Sequence, residues 1–365
     1  MIHQALIDGH VMFYVNLLFG LCRSLRVKTQ RDGMLMPWKK WWTIIQTCNL
    51  PAHADMDVIS RWLLIVRPCV MSMTITSVLI GALLAAMNGY VHWGFTLLVL
   101  VGLLLAHAVN NMANDLIDAE EGVDTPDYPR ANYAPHPILS GLVTKCRLIT
   151  AIVLANLVDI AIAIYFFTQR GWPVLVLALL GAFMSLGYVA PPFSFKRRGL
   201  GELVAFLVWG ALMTGGTYYV VAGTIDWRVW LATLPFGLLV GDVLMGKHLD
   251  KYEIDRQKGI HTLPVLLGLE RARTLTMVLM VGMYVLIVLL VLINALPVWT
   301  LLVFFSLNRL RTVLQVYRQP RPQEPPPEWP VWPLWYVGWA MWLNRLVGGL
   351  FILGLILQLI VPIRW

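Results

Sequence analysis

Long, unbroken apolar stretches separated by short polar segments dominate the pattern of this chain. Several exceed the roughly 18 to 20 apolar residues that a helix needs to cross a bilayer. Their continuity, without the two-residue alternation of a half-buried strand, predicts helices rather than strands. We therefore predict an all-α polytopic membrane protein with about nine transmembrane helices, at residues 62–89, 92–116, 147–168, 172–190, 200–222, 228–247, 273–295, 297–316 and 336–362.

Two segments fall outside this pattern. Residues 1–60 carry only a short apolar run, and the Trp-Lys-Lys-Trp-Trp sequence at 38–42 is typical of a membrane interface. An interfacial segment and a cytoplasmic extension are both open for this region. Residues 319–333 are rich in proline and are predicted to form a stiff, extended loop. We divide the chain into an N-terminal extension, 1–60, and a transmembrane domain, 61–365.

Composition and charge support a membrane protein and indicate its orientation. Hydrophobic residues make up 58% of the chain and charged residues 13%, whereas soluble domains average about 25% charged residues. The net charge of +8 reflects the positive-inside bias rather than nucleic-acid binding, because most Lys and Arg residues fall in alternate loops. That asymmetry predicts a cytoplasmic N-terminus. The four cysteines are scattered and suggest no disulfide framework.

The end of the second predicted span carries an unusual concentration of acidic residues. Six carboxylates fall between Asp115 and Asp127, where a membrane helix ends and desolvation is costly. Asn111, Asp115 and Asp118 are spaced to share one face of a helix, as are Asn114 and Asp118. Oxygen ligands of this kind suit Mg2+, which often bridges to substrate phosphates. A solvated acidic loop that caps a helix is the alternative.

A second acidic stretch follows the sixth predicted span. Asp250, Glu253 and Asp255 lie there among Lys and Arg residues, on the side of the membrane predicted for the first stretch. Two such clusters could each hold one Mg2+ and share one diphosphate, and nearby cations could neutralise the remaining phosphate oxygens. We therefore favour a paired metal–diphosphate site on the cytoplasmic side over two unrelated loops.

Several residues elsewhere are candidates for the same site. Arg67 lies inside the first predicted span, where a charge is expected to face a cavity rather than lipid. Lys196 and Arg197 lie in a loop on the predicted cytoplasmic side, although the positive-inside bias alone also explains them. Asp242 is expected to line the cavity. For Tyr218, helix packing and an acceptor pocket are both open.

Together these residues resemble the UbiA superfamily of intramembrane prenyltransferases, over about residues 67–268. The first family motif, N-D-x-x-D-x-x-x-D, has Gly122 in its final Asp position here and an Asp two residues later. This shifted form is similar to the branch that prenylates 1,4-dihydroxy-2-naphthoate in menaquinone synthesis, as are the runs at 198–202 and 215–219. The residues that carry the first motif are Asn114, Asp115, Asp118 and Asp124.

The second family motif is matched less completely. Asp255 and the Gly-Ile-His-Thr-Leu-Pro-Val run from 259 to 265 agree with the family, whereas Asp250 is one residue early for D-x-x-x-D. The naphthoate branch usually carries N-N-L-R-D where this chain has Gly-Lys-His-Leu-Asp-Lys. His136 replaces an Arg in the loop that follows the first motif.

The resemblance implies a ring of helices around a cavity that transfers a prenyl group from a polyprenyl diphosphate to an aromatic acceptor with Mg2+. Asp115, Asp118 and Asp255 would be the central catalytic carboxylates. The implied metal ligands are Asn114, Asp115, Asp118, Asp124, Asp250 and Asp255; the implied diphosphate ligands are Arg67, Arg130, Lys196, Arg197 and Lys251; and the acceptor or cavity residues are Asn111, Tyr188, Tyr218 and Asp242.

Other functions remain open at this stage. The acceptor could be 4-hydroxybenzoate, a chlorophyllide or a glycerol phosphate lipid ether instead of a naphthoate or quinone precursor. A cation-coupled transporter is a weaker alternative, because its carboxylates would be expected near the membrane midplane. A non-catalytic relative within a larger assembly is the third. In every case we expect an integral protein of a bacterial or archaeal cell membrane, in contact with the lipid bilayer and not with nucleic acid.

Overall fold

The structure, a computed structural model, describes residues 36–50, 55–327, 329 and 331–363. Within these residues the chain is almost entirely helical, and the single bridge between Arg198 and His261 belongs to no strand. The predicted all-α class is confirmed. The chain divides into two units, Met1–Pro37 and Trp38–Trp365. The description below concerns the second unit, and most of the predicted N-terminal extension lies outside the described residues.

Eight helices in the described part of the chain are long and apolar enough to cross a membrane. The helices of the described residues are α1 (Pro37–Thr47), α2 (Val58–Val66), α3 (Ser72–Met87), α4 (Trp93–Glu120), α5 (Pro129–Tyr133), α6 (Lys145–Arg170), α7 (Trp172–Val189), α8 (Gly201–Ala222), α9 (Trp227–Asp250), α10 (Tyr252–Gln257), α11 (Leu263–Leu267), α12 (Leu269–Leu292), α13 (Leu307–Tyr317) and α14 (Tyr336–Ile360). The eight that could cross a membrane are α3 with the turn before it (Pro68–Met87), α4, α6 to α9, α12 and α14, and they match eight of the nine predicted spans.

The predicted span at 297–316 is present but is not one regular α-helix. Val298–Ser306 forms 3-10 turns that lead into α13. Arg309, inside α13, donates to the backbone oxygen of Trp342 at 2.8 Å, and its guanidinium lies 4.1 Å from the centre of the Trp342 ring. This arginine is therefore held against α14 rather than left in lipid. Within the described residues, the nine predicted spans are thus eight long helices and one irregular segment.

The first predicted span, 62–89, is interrupted at Arg67. Helix α2 ends at Val66, Arg67 adopts a left-handed conformation with φ of 59°, and a 3-10 turn begins at Pro68. Proline explains the break, because it lacks a backbone N–H and disfavours a helical conformation in the residue before it. The interruption places Arg67 at one end of the helical bundle.

The long helices pack in chain order up to α12, the irregular segment and α13 link α12 to α14, and α14 closes on α3. Helix α4 contacts α3 and α6, α9 contacts α8 and α12, and α14 contacts α3 and α9. Helix α9 is the most buried of the eight and α6 the most exposed. Small residues allow close approach, since a methyl group added at Gly237 of α9 would lie 2.7 Å from the backbone oxygen of Phe206 in α8. Helix α9 thus occupies the interior and α6 faces the membrane.

A disulfide joins Cys48 to Cys69, with their Cα atoms 5.4 Å apart. The sequence predicted no such bond. The cysteines are separated by 21 residues, with Cys48 after the end of α1 and Cys69 in the 3-10 turn that begins at Pro68, so helical periodicity gives no sign that they meet. The bond ties the segment after α1 to the turn that follows Arg67.

Polar loops collect at one end of the bundle. The segments that follow α4, α7 and α9 contact one another there, and Arg321 of the Pro-rich loop donates to the backbone oxygen of Asp250 at 2.9 Å. At the other end, Arg170 donates to the backbone oxygen of Val220 at 2.7 Å. The alternation of loops predicted from the charge pattern is therefore reproduced, and the acidic stretches share one end.

Candidate active site

The first acidic stretch begins on the last two turns of α4, where its spacing places the polar side chains on one buried face. Asp115 is fully buried and forms ion pairs with Arg67 and Arg130. The Arg130 contact is bidentate, with both nitrogen–oxygen distances at 3.1 Å. Burial opposes the charge of Arg130, but Asp115 outweighs it and raises the pKa of the guanidinium. Two predicted phosphate ligands thus neutralise one predicted metal ligand.

Asp118, one turn further along α4, is neutralised by the loop between α7 and α8. Lys196 places its Nζ 2.5 Å from Asp118 Oδ2 and 3.3 Å from the side-chain oxygen of Asn114. Arg197 lies 3.4 Å from the other Asp118 oxygen and also pairs with Glu121. This loop therefore covers the acidic face of α4, as the predicted roles of Lys196 and Arg197 require.

The turn that ends α4 accounts for the shifted acidic motif. Gly122 has a φ of +68°, and the backbone N–H groups of Val123 and Asp124 both donate to the Asp118 carbonyl, at 2.8 and 2.9 Å. Glycine takes this conformation without a steric cost, so the chain reverses immediately after the helix. The reversal returns the Asp124 carboxylate to the buried face, where an Asp at position 122 would otherwise be expected.

His136 completes this part of the site. Its Nε2 lies 3.2 Å from Asp124 Oδ2, and its Nδ1 accepts from the backbone N–H groups of Ile138 and Leu139 at 3.2 Å each. That pattern assigns the proton to Nε2. Burial alone would raise the pKa of Asp124, but the His136 hydrogen bond and the charges of Lys251 and Lys196 lower it to about 2.

These contacts bring three potential ligand groups together. One ligand atom from each of Asp115, Asp124 and His136 lies within 4.8 Å of the other two, which is close enough for a metal ion. The set is buried at the end of α4.

The second acidic stretch meets the first at Tyr128. The Tyr128 hydroxyl donates to Asp255 Oδ1 at 2.5 Å, and Lys251 lies 4.4 Å from the centre of the tyrosine ring. Lys258 donates to the backbone oxygen of Val123 at 2.7 Å. Burial, and then the charge of Asp255, raise the pKa of Tyr128, so its hydroxyl keeps its proton. The two acidic stretches, from distant parts of the chain, therefore lie at the same end of the bundle and contact each other directly.

Asp250 has a different role in the structure from its predicted one. Its two carboxylate oxygens accept hydrogen bonds from the backbone N–H groups of Tyr336, at 2.9 Å, and Val337, at 3.0 Å. These are the first residues of α14, where a carboxylate satisfies free N–H groups and favours the helix dipole. We therefore assign Asp250 to capping α14 and not to metal binding.

The four predicted acceptor or cavity residues are divided between the two ends and the interior. Asn111 donates to the backbone oxygen of Val66 at 3.0 Å and so fixes the chain next to Arg67. Tyr218 accepts from Asn88 at 3.0 Å, at the opposite end of α3 from the acidic residues, which removes it from the site. Asp242 is buried about 12 Å below Asp250 along α9, and its oxygens have no partner in the described structure. Tyr188 is buried beside the site and is considered further below.

The structure places several further residues at the site that were not among the predicted site residues. Lys247 has no hydrogen bond or ion pair among the described residues, yet the charges of Lys251, Arg67, Lys196 and Asp118 act on it. It lies one turn before Lys251, so the two residues share a helix face and Lys247 could have been predicted from the sequence as a site residue. Glu202 and His248 form a buried pair with a separation of 2.7 Å. Tyr128 carried no signal beyond its position after the first motif, whereas His136 was noted in the sequence as the replacement of a family Arg.

Comparison with protein families gives one match over most of the described chain. The model of the UbiA prenyltransferase family matches residues 74–334. Two curated relatives are the 2-carboxy-1,4-naphthoquinone phytyltransferase of Synechocystis sp., 24% identical over 71% of this chain and 84% of its own length, and the 1,4-dihydroxy-2-naphthoate octaprenyltransferase of Escherichia coli, 28% identical over 60% of this chain and 73% of its own length.

Solved structures share the fold. A UbiA homolog from Aeropyrum pernix K1 has a TM-score of 0.58 at 17% identity, covering 79% of this chain and 98% of that one. A UbiA homolog from Archaeoglobus fulgidus bound to GPP and Mg2+ has a TM-score of 0.56 at 15% identity, covering 82% of this chain and all of that one. The helical ring described above is therefore the fold of these proteins.

Proposed function

Because this chain belongs to the UbiA prenyltransferase family, we propose that it transfers a prenyl group from a polyprenyl diphosphate to a naphthoate or related quinone precursor, in a reaction that requires Mg2+. It is a prenyltransferase and an integral, multi-pass membrane protein. One observation supports the proposed Mg2+-dependent transfer. Buried carboxylates from two distant motifs lie at one end of the bundle, and each is held by a cation or a hydroxyl group of the protein itself.

This arrangement suits an exchange of partners on substrate binding. Without a ligand, Asp115 and Asp118 are neutralised by arginine and lysine side chains, which avoids the cost of a buried unpaired charge. A diphosphate that arrives with divalent cations offers the opposite charge to both partners. The cations of the protein would then hold phosphate oxygens, and the carboxylates would hold the metal.

The donor atoms fit Mg2+. They are carboxylate and amide oxygens, the hard ligands that this ion prefers, and Asp124 keeps its negative charge at neutral pH because its pKa is about 2. When bound, the metal would stabilise negative charge on the leaving diphosphate. With Asp250 assigned to α14, the residues that would hold it are Asn114, Asp115, Asp118, Asp124 and Asp255.

The basic residues would act on the leaving group. Breaking the allylic carbon–oxygen bond leaves its electron pair, and therefore negative charge, on the diphosphate. Arg67, Arg130 and Lys196 already lie against the carboxylates that would hold the metal. Arg197, Lys251 and Lys247 surround the same point, and Lys247 needs no exchange because it has no described partner. The apolar bundle below would shield the allylic cation from water.

The acceptor class rests on the relatives and on the shifted first motif. The names of both relatives specify naphthalene-based substrates. The charge pattern supports a site on the cytoplasmic side, where diphosphate metabolites occur, and we propose that the membrane is a bacterial or archaeal cell membrane. Transfer to 4-hydroxybenzoate, a chlorophyllide or a glycerol phosphate lipid ether is the alternative within the same chemistry.

A transfer assay tests the proposal. The purified full chain in lipid vesicles would be given geranylgeranyl diphosphate, each candidate acceptor and Mg2+, and the products would be identified by mass. We expect a prenylated naphthoate product that disappears with EDTA and falls at least a hundredfold in Asp118→Asn, whereas Glu120→Gln, an exposed substitution at the same helix end, retains activity. Absence of any prenylated product from every acceptor would refute the proposal and favour a transport or non-catalytic role.

A further inference from the structure

A second cluster of buried polar groups lies beside the diphosphate site and has no role in the account above. It consists of Tyr188 at the end of α7, Glu202 in the first turn of α8 and His248 in the last turn of α9. All three side chains are buried, with residue exposures of 8%, 7% and 1%. Three helices therefore contribute to one polar cluster within the apolar bundle.

The cluster contains one strong contact and three unused atoms. His248 Nδ1 and Glu202 Oε1 are 2.7 Å apart. The Tyr188 hydroxyl, Glu202 Oε2 and His248 Nε2 have no hydrogen-bond partner in the described structure, although all three atoms are buried. Buried polar atoms are nearly always hydrogen-bonded, and each one left unpaired is destabilising. Three such atoms in one cluster indicate a missing partner.

Gly201 lies where these side chains come close to the diphosphate site. A methyl group placed there would lie 3.3 Å from His248 Cε1, 3.3 Å from Tyr188 Cε2 and 3.4 Å from the Cα atom of Lys196. Lys196 is the residue that holds Asp118, and the charge of Asp118 also acts on Tyr188. The cluster is therefore adjacent to the predicted position of the diphosphate.

The unused atoms favour a hydrogen-bond donor. In the tautomer with its proton on Nδ1, His248 donates to Glu202 and its Nε2 is a hydrogen-bond acceptor, as is Glu202 Oε2. A phosphate or carboxylate group would be repelled by this pair. A hydroxyl group fits, because it can donate to Nε2 or Oε2 and accept from Tyr188.

We propose that Tyr188, Glu202 and His248 form a binding subsite for a ring hydroxyl group of the aromatic acceptor. This inference rests on the proposed function. Glu202 orients the imidazole, His248 Nε2 accepts the hydrogen bond from the hydroxyl group, and the contact increases electron density in the ring that must attack the allylic carbon. The subsite also places that ring next to the diphosphate held by Lys196.

The test compares two ligands that differ only in hydroxyl groups. Binding of 1,4-dihydroxy-2-naphthoate and of 2-naphthoate would be measured with the purified full chain, without turnover. The wild-type chain should bind the dihydroxy compound at least tenfold more tightly. Glu202→Gln and His248→Phe should each reduce that preference at least fivefold, with binding of geranyl diphosphate in Mg2+ changed by less than twofold.

Tyr219→Phe is the matched control, because its hydroxyl donates to the backbone oxygen of Arg170 at 2.7 Å, at the other end of the bundle. The hydroxyl preference should be unchanged in this variant. Equal binding of the two naphthoates by the wild-type chain, or an undiminished preference in Glu202→Gln and His248→Phe, would overturn the subsite. Loss of both ligand classes together would show a purely structural role and would also overturn it.

Failure of the subsite and failure of the proposed function give different results. A chain that binds with the expected preference but transfers nothing would contradict the transferase proposal alone. A chain that prenylates the naphthoate with no dependence on Glu202 or His248 would contradict the subsite alone.

Discussion

Lys247→Met is the substitution that most sharply separates ligand binding from folding at this site. Lys247 has no described hydrogen bond or ion pair, and its electrostatic neighbours are Lys251, Arg67, Lys196 and Asp118. Three of those four carry the same charge as Lys247. Removing its ammonium group therefore relieves repulsion in the ligand-free protein, whereas a bound diphosphate loses a cationic partner.

The expected effect on binding follows from one charge-assisted hydrogen bond. Such a bond contributes about 1.5 to 3 kcal/mol, which corresponds to a dissociation constant about 10-fold to 150-fold higher. The thermal midpoint of the ligand-free protein should stay the same or rise. Methionine has a similar length and no charge, so the change tests the ammonium group rather than the space it fills.

Binding of geranyl diphosphate in Mg2+ to the full chain, measured by titration calorimetry, checks this expectation. Lys145→Met is the control, because it removes an equal charge from the start of α6, where Lys145 is exposed and pairs with Glu120. That variant should bind within twofold of wild type. Unchanged affinity in Lys247→Met, or a lower thermal midpoint without ligand, would refute the reasoning.

Two further predictions concern residues whose roles the structure revised. Asp250→Ala removes the cap from α14 and should lower the free energy of unfolding by about 1 to 2 kcal/mol, seen as a lower thermal midpoint. The folded fraction should still bind diphosphate in a Mg2+-dependent way. Selective loss of that Mg2+ dependence would instead identify Asp250 as a metal ligand. Cys69→Ser opens the disulfide with Cys48, and loss of the closed loop of 21 residues should lower the free energy of unfolding of the oxidised protein by about 3 kcal/mol, measured by denaturation. Wild-type protein kept reduced lacks the same bond and should match the variant, and equal stability of the oxidised wild type and Cys69→Ser would contradict the prediction.

The membrane helices and the meeting of the two acidic stretches could be predicted from the sequence. Helix length follows from apolar runs, and the charge pattern orders the loops by side. A segment after the second span and one after the sixth must then share a side, which is why Asp118 and Asp255 were expected together. Direct contacts at Tyr128 agree with that expectation.

Other features depend on contacts between distant parts of the chain. A carboxylate at the end of α9 has the same local sequence whether it faces a metal or the start of α14, which is 86 residues away from Asp250 at Tyr336. Local sequence likewise does not reveal the disulfide or the Glu202–His248 pair, because each joins residues that are far apart in the chain. Tyr218 is different, because a position 17 residues into α8 lies about 26 Å from the start of that helix, so counting alone could have placed it at the far end.

The central claim is that one magnesium-bound diphosphate is held jointly by carboxylates from both acidic stretches. A double-mutant cycle on Asp118→Asn and Asp255→Asn, read as Mg2+-dependent binding of geranyl diphosphate, tests it most directly. The account predicts that each substitution weakens binding at least tenfold and that the double variant is little weaker than either one. Independent, multiplicative effects, or undiminished binding in either single variant, would contradict it.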